Sequence, residues 1–423
     1  MDKYKNMNKN IINKRKIIND PVHGFITIPS DLLYDLIEHP CFQRLRRIKQ
    51  LGLTCLVYPG ATHTRFQHIL GCMHLMSAAV STLQSKGVDI SEEESETVHA
   101  AILMHDLGHG PFSHSLESSL VSDVTHEEIS LLFMERLNGE FDGKLTKAID
   151  IFTNNYPKKF LNQLVSGQLD MDRLDYLKRD SFYTGVAEGV ISSDRIINML
   201  TVQNDCLAVE AKGIYSIENF LISRRLMYWQ VYLHKTAIVA EKMMVKLFKR
   251  ARQLLTQGAD VKAYLPLVFF LQNRLTYSDF RENKEILEMF SLLDDNDIMS
   301  ALKLWTLHND KILSILSSGI LNRNLLAIEL QKEPFELKKI NILKETLINK
   351  FEISEYDADY LVFTDTISNN AYDLDDEKIN ILSADNSVKD ISEASDMFNH
   401  SILGKTVKKH ILCYPKVLRD KKA

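Results

Sequence analysis

The sequence predicts a mainly α-helical protein that ends in a small α+β region, and three observations predict it. Apolar residues recur at helical spacing from Leu32 onward and through most of the chain up to Lys350. One such pattern, Ser216 to Leu255, runs for about 40 residues with no proline, beyond the usual length of a globular helix. The strand-like stretches Y-L-V-F-T-D (Tyr360–Asp365), K-I-N-I-L-S (Lys378–Ser383) and H-I-L-C-Y (His410–Tyr414) cluster near the end. Three segments follow: a mobile N-terminal arm at 1–15, a helical core with a helical extension at 16–350, and a small α+β region at 351–423.

The arm is rich in lysine and asparagine and has no apolar core of signal-peptide length. Asp20-Pro21 signals a turn with Gly24, and F-I-T-I (Phe25–Ile28) reads as a short extended stretch before Pro29. Ser30 is an N-cap for the helical pattern that follows, interrupted near Pro40. Gly60 opens a loop that delivers T-H-T-R-F-Q-H (Thr62–His68), and a helix then runs to about Leu83. Ser91, with acids in the first turn after it, starts another helix that reaches Asp106. Gly108, Gly110 and Pro111 break it and leave His109 and His114 on a loop. Thr125-His126-Glu127-Glu128 starts the next helix, and Phe160 to Phe182 carries Q-L-D-M-D-R-L-D-Y-L (Gln168–Leu177) on apolar repeats. Cys206–Glu210, Gly213 and Ile214-Tyr215 read as a small hairpin, and shorter helical patterns fill Asp260 to about Lys350.

Composition narrows the class. Of 423 residues, 45% are hydrophobic and 25% charged, an ordinary soluble globular balance with ample core. A net charge of −5 argues against a protein that coats nucleic acid, and no aromatic-basic stripe marks a single-strand binder. The five cysteines (Cys41, Cys55, Cys72, Cys206, Cys413) are scattered and form no C-x-x-C pair, as expected of reduced thiols in a cytoplasm. No stretch approaches 18 uninterrupted apolar residues, so no membrane span is expected.

The chemistry concentrates in three places. His68 lies in T-H-T-R-F-Q-H-I-L-G, His105-Asp106 in A-I-L-M-H-D-L-G-H-G, and Asp170, Asp172 and Asp175 in the later acidic stretch. Titratable groups in apolar, helical surroundings are costly unless paired, and these can converge on one divalent cation. Imidazole and carboxylate suit Mg, Mn, Fe, Ni or Zn without choosing among them. On a helix Asp172 and Asp175 share a face while Asp170 points away, so spacing leaves two acids open. A lone histidine of this kind is more often a core or capping residue; the extended motifs weigh against that reading.

The order H…HD…D resembles the HD-domain metal phosphohydrolases. The text around it, I-N-D-P-V-H-G (Ile18–Gly24), F-Q-R-L-R-R-I-K-Q-L-G, H-D-L-G-H-G-P-F-S-H and Q-L-D-M-D-R-L-D-Y-L, looks like the deoxynucleoside-triphosphate triphosphohydrolase branch. The resemblance is close from about Lys16 to Lys235 and implies an HD-type helical bundle that splits dNTPs into deoxynucleoside and inorganic triphosphate. It implies His68, His105, Asp106 and Asp172 as metal ligands, the acid just before the basic residue breaking the tie. It implies His126 as general acid and His109 as a contact to the α-phosphate. Arg65 is one helical turn from His68, where a guanidinium can grip a phosphate bidentately. Arg173 stands where animal members have lysine, and Arg224 and Tyr232 match contacts to the distal phosphates and the sugar side.

Gln50 and Leu51 match the pair packed beneath the deoxyribose, and Tyr176, Asp180 and His114 match groups around the sugar. Lys16, Asn19, Glu38 and Arg46 match an activating-nucleotide site between subunits, with glutamate at 38 where the family has aspartate. A homo-oligomer, dimer or tetramer, is the corresponding expectation, with no membrane and no stable nucleic-acid partner. Two rival readings are a hydrolase of another nucleotide, such as a monophosphate or an alarmone, and a nucleotide sensor that binds without turnover.

Overall fold

The computed structural model describes residues 16–112, 121, 124–369, 378–397 and 407–419. The expected arm at 1–15 and His114 lie outside the described residues. The chain opens with an antiparallel hairpin of β1 (Ile17–Asp20) and β2 (Gly24–Thr27), in which Ile18 faces Ile26 and Asp20 faces Gly24. Asp20 accepts the backbone N–H groups of Val22 and His23, which fixes the turn between the strands. Helix α1 (Asp31–Glu38) is capped by Ser30, and α2 (Pro40–Arg44) starts on Pro40. Proline there opens a helix, since its missing N–H is one the first turn leaves unused.

Helix α3 (Arg65–Ser85) is the axis of the bundle; most of its residues are buried, and α4 (Glu92–Met104) packs along it. Capping boxes start both helices, Thr64 with Gln67 and Ser91 with Glu94. Then come α5 (His126–Glu140), α6 (Thr146–Phe152), α7 (Lys159–Val165) and α8 (Met171–Thr184), the last lying against α3. Asp170 is the N-cap of α8, accepting the Arg173 N–H at 2.7 Å and that of Gly167 at 2.9 Å. Burial raises its carboxyl to about 6.

Two sequence expectations are corrected after α9 (Ser193–Met199). Cys206–Glu210 is indeed extended, as β4, but its hairpin partner lies upstream in β3 (Leu200–Gln203), and Ile214 already begins a helix. The turn is Asn204-Asp205, both at positive φ, a conformation that these two residue types tolerate better than most. The single 40-residue helix is in fact α10 (Ile214–Met227), a π-type turn at Tyr228–Tyr232, and α11 (Lys235–Thr256). The turn closes with a Leu233 N–H to Tyr228 carbonyl bond of 2.6 Å, and the Tyr58 hydroxyl donates to the Gln230 carbonyl at 2.6 Å. His234 then stands extended as the α11 cap, its ring accepting the Thr236 N–H. No proline or glycine is needed for such an insertion, so helical periodicity runs straight through it.

The extension continues through α12 (Leu265–Gln272), α13 (Tyr277–Glu282), α14 (Lys284–Ser291), α15 (Asp295–Trp305) and α16 (Lys311–Leu321). The end of the chain holds strands and short helices, among them β6 (Phe363–Asn369), β7 (Asn380–Leu382), β8 (Val388–Asp390) and β9 (Val407–Tyr414). A three-stranded sheet forms from β5 (Ala327–Gln331), β9 and β6, while β7 pairs parallel to β4. No helix among the described residues is long and apolar enough to cross a membrane, and the five cysteines are free thiols.

Candidate metal centre and substrate cavity

The first turn of α3 is set by a short antiparallel contact: the Arg65 N–H donates to the Ile48 carbonyl and the Gln50 N–H to the His63 carbonyl. This brings Gln50 and Leu51 beside Arg65 and aims His68 inward, fully buried. His105 sits at the end of α4, where the helix breaks, and Asp106 follows in the turn. Gly108 lets α5 approach this turn, since a Cβ there would lie 2.0 Å from the His126 carbonyl oxygen and 2.4 Å from Ser130 N. Ser130 closes the contact, its hydroxyl donating to the His105 carbonyl and accepting the Gly108 N–H.

His68, His105, Asp106 and Asp172 converge. His68 Nε2 lies 2.9 Å from Asp172 Oδ1 and 3.9 Å from Asp106 Oδ2. His105 Nε2 lies 3.5 Å from Asp106 Oδ1 and 3.6 Å from Asp172 Oδ1. The far nitrogens are both occupied, His105 Nδ1 by donating to the Ile102 carbonyl at 2.6 Å and His68 Nδ1 by Asp175 Oδ2 at 2.8 Å. Such bonds turn the Nε2 lone pairs toward the centre of the cluster. His105 Nε2 is buried and has no hydrogen-bond partner among the described residues. A buried acceptor of that kind, ringed by two carboxylates and another imidazole, fits a divalent cation.

Asp106 also ion-pairs with Arg65 and lies 3.2 Å from His109 Nε2. Burial alone would raise its carboxyl, but the Arg65 guanidinium and the His109 and His105 imidazoles together hold Asp106 well below the usual range. Burial and the same guanidinium keep the His109 imidazole neutral, its affinity for a proton far below normal. The His109 and His126 rings stack at 3.9 Å between centroids, 17° apart, and His126 Nε2 is 3.2 Å from Glu127.

Beside the cluster lies a cavity of about 340 Å³, lined among others by Gln50, Leu51, Arg65, Tyr176, Asp180 and Tyr232, within the range of small-molecule sites. Buried polar atoms without a hydrogen-bond partner among the described residues gather nearby: Gln50 Oε1, Arg173 Nη1, and Nε and Nη1 of Arg224. Tyr176 and Tyr232 meet edge to face at 6.1 Å, and the Tyr232 hydroxyl donates to Asp180 Oδ2 at 2.8 Å. The π-type turn carries Tyr232, so Arg224 and Tyr232 sit on different elements rather than on one helical face. Lys16, Asn19, Glu38 and Arg46 are all exposed; Lys16 donates to the Tyr34 hydroxyl, and Arg46 lies over the Phe66 ring at 3.7 Å.

Sequence reasoning missed several supports of this site. His63 Nε2 is 2.7 Å from Asp180 Oδ1, so both oxygens of that carboxylate are engaged. Arg44, fully buried, gives its guanidinium to the Leu107, His109 and Leu293 carbonyls and holds the turn after His105-Asp106. Asp295 accepts the Phe112 and Lys49 N–H groups at 2.8 and 3.0 Å, its carboxyl raised by burial to about 6. His63 stands within T-H-T-R, a local signal; nothing local marks Arg44 or Asp295.

Two family models match the chain, the HD domain at residues 65–180 and the HD associated region at 191–264. Among solved structures, a phosphohydrolase from Bacteroides thetaiotaomicron is 56% identical with a TM-score of 0.92, covering 95% of this chain and 100% of that one. The Bacillus subtilis protein YwfO is 33% identical over 96% of this chain and 94% of its own length. A Dictyostelium discoideum homologue of deoxynucleoside triphosphate triphosphohydrolase SAMHD1 is 34% identical over 62% of this chain, which spans only 55% of that relative.

Proposed function

We propose, from the premise that this chain belongs to the HD-domain phosphohydrolase family, that it hydrolyses deoxynucleoside triphosphates to deoxynucleoside and inorganic triphosphate. The observation that carries the reading is the adjacency of a His/Asp cluster and a cavity lined by the buried Arg65, with the half-buried Arg173 and Arg224 near it. A polyanion with an apolar end uses both features.

His68, His105, Asp106 and Asp172 are the residues that would hold a divalent cation, which when bound activates water and neutralises phosphoryl charge. Arg65, tied to Asp106 and open to the cavity, is placed to grip an α-phosphate oxygen. His109, whose Nε2 lies 3.2 Å from Asp106, sets its ring against the α-phosphate. His126, stacked on it, delivers the proton that the departing 5′-oxygen takes. Arg173 and Arg224 supply donors for the distal phosphates. Gln50 and Leu51 floor the sugar pocket, with Tyr176 and the doubly held Asp180 at its side. A pocket fitted to deoxyribose rejects a further hydroxyl by crowding and desolvation.

Two measurements test this. Each dNTP is incubated alone and then in mixture with Mg2+ or Mn2+, and the products are separated. Inorganic triphosphate is the expected product; pyrophosphate or monophosphate would assign another nucleotide reaction, and no turnover under any combination would assign a sensor. Faster hydrolysis in mixtures than alone is expected if a nucleotide bound at Lys16, Asn19, Glu38 and Arg46 joins copies of the chain. Second, His126→Asn is expected to lower kcat about 100-fold or more with metal affinity unchanged, the range for loss of a general acid. Unaltered kcat would remove His126 from the proton's path.

A further inference from the structure

Behind the metal cluster lies a second buried network, built from residues that have no place in the chemistry proposed above. Asp175 is fully buried on α8 and faces two ways. Its Oδ2 holds His68 Nδ1 at 2.8 Å, and its Oδ1 holds His23 Nε2 at 2.7 Å. Arg179, one turn further along α8, donates to both Asp175 oxygens at 2.8 and 3.0 Å. The same guanidinium reaches Asp20 at 2.8 and 3.3 Å. Gly71 on α3 makes the space: a Cβ there would stand 1.9 Å from Asp175 Oδ1 and 2.3 Å from Arg179 Nη2.

Asp20 and His23 belong to the β1–β2 hairpin, at the end of β1 and in the turn. The hairpin is short, and its outer face is exposed at Ile17, Asn19 and Phe25. Its inner attachments include two side chains that enter this network: Asp20 takes the guanidinium, and His23, whose side chain is 2% exposed, takes the carboxylate that orients His68. A carboxylate that aims a metal-binding imidazole is most effective when it is itself held. The Asp175 carboxylate is held from one side by its own helix and from the other by the hairpin.

Resting on the metal reading above, we infer that His23 is a positioning residue for the metal centre. Through His23 and Asp175 the β1–β2 hairpin and the cation site are coupled, so that docking of one strengthens the other. Coupling of this kind is reciprocal. Bound cation lowers the equilibrium constant for hairpin opening by the factor by which a docked hairpin tightens the cation.

The probe is Mn2+ on the full chain, with two readouts. In the wild-type protein, amide hydrogen exchange of residues 17–27 is expected to slow on saturation with Mn2+. His23→Ala is expected to weaken Mn2+ binding by about 10-fold or more, the usual effect of losing an outer-shell partner, and to abolish the slowing. His23→Gln, which restores a donor toward Asp175, is expected to bring the affinity back to within about threefold of wild type by the same principle. A role confined to packing would lower Tm in both variants alike, with no rescue. Hairpin exchange indifferent to Mn2+ in the wild type would overturn the coupling even if the variants fail to fold. Equal Mn2+ affinity in wild type and His23→Ala would overturn the role of His23. Failure of the wild type to bind Mn2+ at all would instead remove the metal reading, and this inference with it.

Discussion

Asp106→Ala protein is expected to bind Mn2+ at least about 100-fold more weakly than wild type and to lose measurable phosphohydrolase activity. The magnitude follows from place. Outer-shell changes alone cost 10- to 100-fold in metal affinity, and Asp106 is closer in: its two oxygens face His68, His105 and His109 at 3.9, 3.5 and 3.2 Å. The substitution also takes the carboxylate away from the buried Arg65 guanidinium, and breaking a buried ion pair costs about 3–5 kcal/mol. Asp106→Asn separates the two effects. It keeps the volume and an acceptor for Arg65 but removes the charge, so a folded protein with weak metal binding is the expected result. Titration calorimetry and a thermal melt on both variants read the two quantities. Full metal occupancy in either folded variant would refute the assignment.

Gly108→Ala is expected to damage both stability and turnover without touching any ligand. A Cβ at 108 would meet backbone atoms of α5 at 2.0 and 2.4 Å, and backbone has no rotamer with which to retreat. The helix must therefore shift. Overpacking of this kind costs about 1–3 kcal/mol, with Tm lower by several degrees. Since α5 begins at His126, the shift also moves the imidazole stacked on His109, and a displacement near 1 Å can cost about 100-fold in rate. Metal affinity should fall less than turnover, because none of the four converging residues lies on α5, which reaches them only through the Ser130 bond to the His105 carbonyl. A thermal melt, a turnover assay and a Mn2+ titration check the three parts. Wild-type turnover in a destabilised protein would mean that α5 contributes packing alone.

Helix starts were written locally. Ser30, Ser91 and Thr125 are small hydroxyl side chains that accept an N–H from the turn that follows, and such a bond needs only neighbours in sequence. The grouping of His68, His105 and Asp106 could be anticipated because each sits in an extended motif, though only tertiary structure gives their separations. Asp170, Asp172 and Asp175 illustrate the limit. Spacing set Asp170 apart but not its job as a cap, which depends on where α8 begins, and it left Asp172 and Asp175 equivalent. In three dimensions those two take opposite sides of one imidazole, Asp172 at Nε2 and Asp175 at Nδ1. The pairs His23–Asp175 and His63–Asp180 join positions more than a hundred residues apart and have no local signature. Asn204-Asp205 is a local turn signal, and it puts the hairpin's turn before Cys206 rather than at Gly213. The π-type turn and the break at His234 had none: neither proline nor glycine marks them.

The parallel pairing of β7 with β4 fastens a segment from the C-terminal region to the hairpin that follows α9. Without Asn380–Leu382, the far side of β4 would present bare N–H and C=O groups to solvent. Unprotected edges of that kind recruit strands from other molecules. Asn380–Leu382 thus satisfies that side of β4 and passes the sheet margin outward to β8, an edge of only three residues that offers little to a foreign strand.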